Sequence, residues 1–292
     1  MGRSARPRRE ARRSAPHRRL TTYRAVVEYD GTNFHGLQFQ SEVRTVAGEL
    51  ERVLSALFAE PVAISAAGRT DAGVHATGQV VSFHTSREFP RGRLALALNG
   101  NLPRDVSVRQ AEIVDDGFSA RFDALARAYE YRILNRAMPS ATTRRFAHHV
   151  HRPLDLDRAR HAAEALLGEH DFVAFCGVLP ERGGTVRNIH SIDIDRRGDL
   201  VTLRLTGSGF LHRMVRITGG TLVEIAAQRR DPDDIPAIIA SKDRRRAGYT
   251  APACGLTLVG VRYPGFDSEA AADRTEVAQA DRRRRAGVGD VG

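Results

Sequence analysis

Gly68-Arg69-Thr70-Asp71-Ala72-Gly73-Val74-His75-Ala76 sets one carboxylate between two glycines, and the alternating run Gln79-Val80-Val81-Ser82-Phe83 follows at once. Glycine tolerates backbone conformations that other residues resist, so the segment reads as a tight, non-helical turn feeding a strand. Such a turn holds Asp71 at the rim of a sheet, neither buried nor on a loose loop. Carboxylates are ionised at neutral pH, which equips Asp71 to serve as nucleophile, base or metal ligand. The plain structural alternative is a β-turn, because Thr-Asp-Ala-Gly is good turn chemistry. An aspartic-protease reading needs two Asp-Thr/Ser-Gly motifs. No carboxylate cluster accompanies Asp71, and a lone His75 suits a structural role better than metal ligation.

Outward from this turn the chain alternates strands and helices. Tyr23 to Asp30 is a β-rich run closed by Asp30-Gly31. Residues 45–58 carry Val46, Leu50, Val53, Leu54 and Leu57 at helical spacing. A short strand is expected over 61–66, a strand over 79–84, a helix over 90–99, and strands over 106–114 and 126–134. The second half repeats the plan loosely: helix 155–167 with Asp155 as its cap, strands 189–195 and 200–205, helices 210–228 and 233–240, and a last strand 256–263. This order predicts an α+β fold of two ferredoxin-like α/β units, 21–115 and 116–265, with joined antiparallel sheets flanked by helices and a cleft between them. Residues 1–20 read as a disordered basic arm and 266–292 as a disordered tail.

The 292 residues carry a net charge of +10. The first twenty contribute +7 and residues 266–292 contribute −1, so the body holds only +4. A basic arm is an electrostatic handle on nucleic acid or simply a solvated terminus, so local clusters weigh more than the total. No apolar run approaches a membrane span of about 20 residues, and the arm lacks the apolar stretch of a secretory signal. Glu10 and the prolines argue against an amphipathic transit peptide. Cys176 and Cys254 lie far apart with no metal spacing, which fits a reduced, cytoplasmic protein without structural zinc.

Three further blocks hold candidate chemistry. In Ala120-Arg121-Phe122 through Tyr129-Glu130-Tyr131-Arg132, Tyr129 and Tyr131 share a strand face by the period of two. They read either as ordinary strand aromatics or as rings that stack on a base, with Arg121, Arg127 and Arg132 near enough to meet phosphates. In Gly209-Phe210-Leu211-His212-Arg213-Met214-Val215-Arg216, Phe210, Met214 and Ile217 fit the core side of a helix. Arg216 lies one residue off that row. It suits a surface ion pair of little worth or a carboxylate held by paired hydrogen bonds. Ala247 to Pro252 leads into Gly255-Leu256-Thr257-Leu258, whose aliphatic residues suit core or a pocket floor.

Together the four blocks resemble the tRNA pseudouridine synthase I (TruA-type) family, in order from about Tyr23 to Tyr263. The resemblance rests on Glu28-Tyr29-Asp30-Gly31, Gln38-Phe39-Gln40, the nine residues around Asp71, Gly78 to Val81, Ala120-Arg121-Phe122, Tyr129 to Arg132, Met214-Val215-Arg216 and Gly255-Leu256. It implies isomerisation of uridine to pseudouridine at positions 38, 39 and 40 of the tRNA anticodon stem-loop, by a homodimer that needs neither cofactor nor metal. It further implies Asp71 as nucleophile, Tyr129 at the uracil and its C5 proton, Arg69 in extruding the nucleotide, Arg216 paired with the carboxylate, and Leu256 or Leu258 lining the base pocket. Departures are Leu37 where an aromatic is common, Ile217 where Asn is common, and Cys254. An inactive RNA-binding protein and a nucleoside hydrolase are the rivals. The joint presence of Asp71, Tyr129 and Arg216 argues against the first, and the basic surface expected for tRNA against the second.

Overall fold

Thr21–Tyr29 forms β1, whose inward residues Tyr23, Ala25, Val27 and Tyr29 are buried. The computed structural model describes residues 20–271. The basic arm up to residue 19 and the tail from 272 lie outside the described residues. Helix α1, Val46–Phe58, starts where the Thr45 hydroxyl accepts from Gly48 N–H and stops where Ala59 turns left-handed. Its apolar stripe of Val46, Leu50, Val53, Leu54 and Phe58 is buried, and Phe58 joins the stacked pair Tyr23–Phe83.

The remaining elements are β2 (Ile64–Ala66), β3 (His75–Thr85), α2 (Leu94–Asn99), β4 (Val106–Val114), β5 (Ala126–Asn135), β6 (His148–Val150), α3 (Leu156–Glu164), β7 (Gly168–Asp171), β8 (Val186–Arg197), β9 (Leu200–Gly207), α4 (Met214–Ala226), α5 (Ile235–Ser241), β10 (Leu256–Tyr263) and β11 (Phe266–Asp267). One mixed sheet runs β4-β1-β3-β10-β5-β9-β8-β7, with β2 on β3, β6 on β5 and β11 on β10, and helices flank it. Asp155 caps α3, accepting from the N–H groups of Asp157 and Arg158. Among the described residues no helix is long and apolar enough to cross a membrane.

The sheet is mixed where joined antiparallel sheets were expected, and the joint in its middle is parallel. β3 meets β10 through only two residue pairs, Thr257 with His75 and Leu258 with Ala76. Beyond them the backbones press together: a Cβ on Gly78 would lie 2.1 Å from the Val259 carbonyl oxygen. The buried Ser268 hydroxyl closes the gap, donating to the Gly78 carbonyl and accepting from Val261 N–H, both at 2.8 Å. Residues 266–271 are therefore structured, contrary to the disordered tail expected from 266 onward.

Two helices begin later than their apolar spacing suggests. α2 starts at Leu94, not residue 90, and residues 90–93 form a turn. α4 starts at Met214 because Arg213 takes a left-handed conformation, φ 59°, which no helix continues through. Phe210 therefore sits on a loop, not a helix. β3 is longer than expected and begins at His75, directly after the Asp71 turn.

Candidate active site

The turn is closed by Val74 N–H donating to the Asp71 carbonyl at 3.1 Å, with Gly73 at φ 78° as its third residue. Neighbours hold it from several sides. Leu37 N–H donates to the Thr70 carbonyl at 3.1 Å, Tyr29 Oη and Thr70 Oγ1 are 2.7 Å apart, and Gln79 Nε2 donates to the Gly68 carbonyl at 2.8 Å. His75 packs the rear: its Nδ1 accepts from Gly31 N–H at 3.0 Å and its Nε2–H donates to the Arg145 carbonyl at 2.8 Å. Burial lowers its pKa, so the ring is a neutral strut with both nitrogens engaged.

Asp71 keeps a side-chain exposure of 23%. Arg216 Nη1, on α4, donates to its Oδ2 at 2.8 Å, while Arg216 Nε donates to the Ala251 carbonyl at 2.8 Å. The guanidinium thus divides between a carboxylate and a backbone oxygen instead of forking onto the carboxylate. Oδ1 is left facing His212 Nε2 at 3.7 Å, beyond hydrogen-bond reach. His212 belongs to a block that the sequence singled out, but nothing in the spacing marked it as a neighbour of Asp71.

The parallel joint explains what stands opposite. β10 enters it at Leu256, and its register on β5 sets Leu256 beside Tyr131 and Leu258 beside Tyr129. Tyr129 is 7% exposed, and its ring meets Phe210 edge-on at 5.3 Å. Burial, reinforced by nearby Tyr29 and Asp71, pushes its phenol well above the ordinary range. Tyr131 turns to the core instead, donating to the Pro252 carbonyl at 3.0 Å. A cavity of about 960 Å³, large for a ligand site, is lined by Asp71, Arg69, Tyr129, Arg216 and Leu256. Leu258 is fully buried and does not line it. Arg69 is exposed at the rim, and its guanidinium has no partner among the described residues. The exposed Arg121, Arg182 and Arg213 also line the cavity, and their guanidiniums make no hydrogen bond or ion pair among those residues.

The arginines of β5 behave differently from one another. Arg132 pairs with Glu130 at 3.0 Å. Arg127 turns inward and donates to four carbonyls, of Ala67, Arg121, Ala124 and Ser208, at 2.8–3.2 Å. Ala67 immediately precedes the Gly68 turn, so Arg127 ties that turn to two other loops. Arg127→Met is expected to destabilise the protein by about 2 kcal/mol or more, since it strands these oxygens. Urea unfolding measures this, and an unchanged midpoint would show the bonds to be dispensable.

A family model described as tRNA pseudouridine synthase matches residues 25–123 and 162–264. The chain belongs to the tRNA pseudouridine synthase family. It is accordingly an enzyme of the isomerase class. Proteins named tRNA pseudouridine synthase A from Brevibacillus brevis and Bacillus subtilis are each 42% identical to it, over 82% of this chain and 98% of their own length. The protein of that name from Acetivibrio thermocellus is 42% identical over 84% of this chain and 100% of its own. Arg69, Asp71, Arg216 and Leu256 fall within the two stretches matched by the pseudouridine synthase model, and Tyr129 falls between them.

Proposed function

We propose that this synthase converts uridine to pseudouridine at positions 38, 39 and 40 of the tRNA anticodon stem-loop, with Asp71 as nucleophile. One observation carries the reading. A carboxylate with one oxygen tied to Arg216 and the other open shares a cavity with a buried tyrosine and an aliphatic floor. The reaction breaks the bond between C1′ and N1, turns the uracil, joins C1′ to C5, moves the C5 proton off the base and returns one to N1. It is neutral overall in atoms and electrons, so no redox cofactor enters its balance. Asp71 holds the fragments together by attack at C1′ or at C6, or assists a glycal intermediate.

A uridine in a stem cannot present these atoms until it leaves the stack. Arg69 stands at the cavity rim, where a guanidinium can help extrude the nucleotide, and Arg121, Arg182 and Arg213 offer donors for phosphates. Tyr129, held neutral by burial, hydrogen-bonds the uracil and relays the C5 proton. Arg216 orients Asp71, and Leu256 floors the base pocket. In this reading the flanked sheet is two ferredoxin-like units, 21–115 and 116–265, and the cavity is the cleft between them. The working form is a cytoplasmic homodimer whose cleft receives the RNA.

Incubation with an unmodified tRNA transcript, followed by mapping of pseudouridine along the RNA, tests this. Conversion confined to positions 38–40 is expected. Binding without conversion, or conversion elsewhere, would overturn it.

A further inference from the structure

Phe39 lines the same cavity as Asp71 yet leaves 58% of its surface in water. Exposed single aromatics are common on proteins, but this one stands between two anchored neighbours. Two residues earlier, buried Leu37 is bonded through its N–H to the Thr70 carbonyl, beside Asp71, and its own carbonyl accepts from Ala47 N–H at 2.9 Å. One residue later, Gln40 Nε2 donates to the His35 carbonyl at 3.1 Å. The ring rests on the first turn of α1 at Gly48, where an added Cβ would lie 3.5 Å from Phe39 Cδ2. A ring backed by α1 and bare in front offers a stacking face. The exposed Val178 and Leu179 and the unpaired Arg182 also line the cavity. At about 960 Å³ it has room for more than one base.

We propose that Phe39 is a specificity-determining residue, on which a nucleobase adjacent to the everted uridine stacks. This rests on the uridine-isomerising reading above. A platform of this kind accepts any base but prefers large, strongly stacking ones, so it biases the enzyme by the neighbour of the target rather than by the target itself. Phosphate contacts from the rim arginines fix the strand, and the ring fixes the plane of the neighbour.

The test uses anticodon stem-loop RNAs carrying 2-aminopurine on either side of the target uridine, with wild type, Phe39→Ala, Phe39→Leu and Phe39→Trp. Conversion by the wild type secures the reading on which the proposal rests; its absence removes that reading and this proposal together. With conversion present, Phe39→Ala is expected to raise KM roughly 10- to 100-fold while kcat changes less than about threefold. It should also restore the 2-aminopurine emission that the wild type quenches at one flank. Phe39→Trp should keep both KM and quenching, and Phe39→Leu should behave as alanine. A leucine variant with wild-type KM would reduce the role to apolar contact and overturn stacking. An alanine variant with unchanged KM and quenching would overturn the proposal outright. The ring is exposed, so all variants should unfold within a degree or two of wild type, which keeps the comparison free of folding defects.

Discussion

Asp71→Asn is expected to reduce conversion of tRNA by at least ~10⁴-fold while leaving RNA affinity within about threefold. The amide is nearly isosteric with the carboxylate, and its oxygen can still accept from Arg216 Nη1, which now sits 2.8 Å from Oδ2. Arg216 also keeps its bond to the Ala251 carbonyl, so the local frame survives. What disappears is the charge, and with it the capacity to form or assist a bound intermediate. Single-turnover mapping of pseudouridine with saturating enzyme reads the rate, and filter binding reads the affinity. An asparagine variant within tenfold of wild type would remove Asp71 from the nucleophile's role. Equal losses in rate and affinity would make it a binding residue.

Tyr129→Phe is the second large effect, expected to lower kcat by about 10²–10³-fold with KM within about threefold. The ring remains, so the edge contact with Phe210 and the packing of β5 on β10 are kept. The hydroxyl has no hydrogen-bond partner among the described residues, so its removal should leave Tm unchanged or slightly raised. The sign of the pH dependence follows from the burial of the phenol. Its pKa is raised in the folded protein, so the neutral form persists through pH 10, the ordinary midpoint. The ratio of the wild-type rate to that of the Tyr129→Phe variant should therefore stay flat from pH 6.5 to 9.5. A ratio rising tenfold per pH unit would mean that an ionised phenolate is the working form, contradicting the neutral relay. Assays should stop short of pH 10. Tyr29 is another buried phenol, pushed up to about 12, and the stability linked to it is lost as pH climbs from 10 towards that value.

Much of the site could be read from residue types alone, because punctuation and alternation are local signals. Gly68 and Gly73 flank Asp71 and signal a turn, and the run 79–83 alternates. Both survive in the structure as an i to i+3 hydrogen bond and the strand β3. The start of α4 was not legible. Phe210 extends its apolar row, and spacing says nothing of φ, so only the folded backbone reveals the left-handed Arg213 that stops the helix there. The inward turn of Arg127 was equally hidden. A long guanidinium on a strand reads as a phosphate ligand until four carbonyls are seen around it. The parallel joint of β3 and β10 pairs residues about 180 positions apart. Strand alternation predicts that each strand exists and which face it buries, but not its neighbour. Ser268 sits in a polar, charged stretch whose composition argued for disorder, and it is ordered because two unpaired backbone groups at the joint need its hydroxyl.

That hydroxyl has a consequence for how the enzyme comes into being. Asp71 emerges from the ribosome early, Tyr129 and Arg216 well after it, and the strand that seats Leu256 opposite them later still. Ser268, which pins that strand against the one following Asp71, comes last of all. A nascent chain therefore carries Asp71 for most of translation without the neighbours that surround it in the folded protein. The parallel joint of β3 and β10 gains its Ser268 pin only once residue 268 has been made.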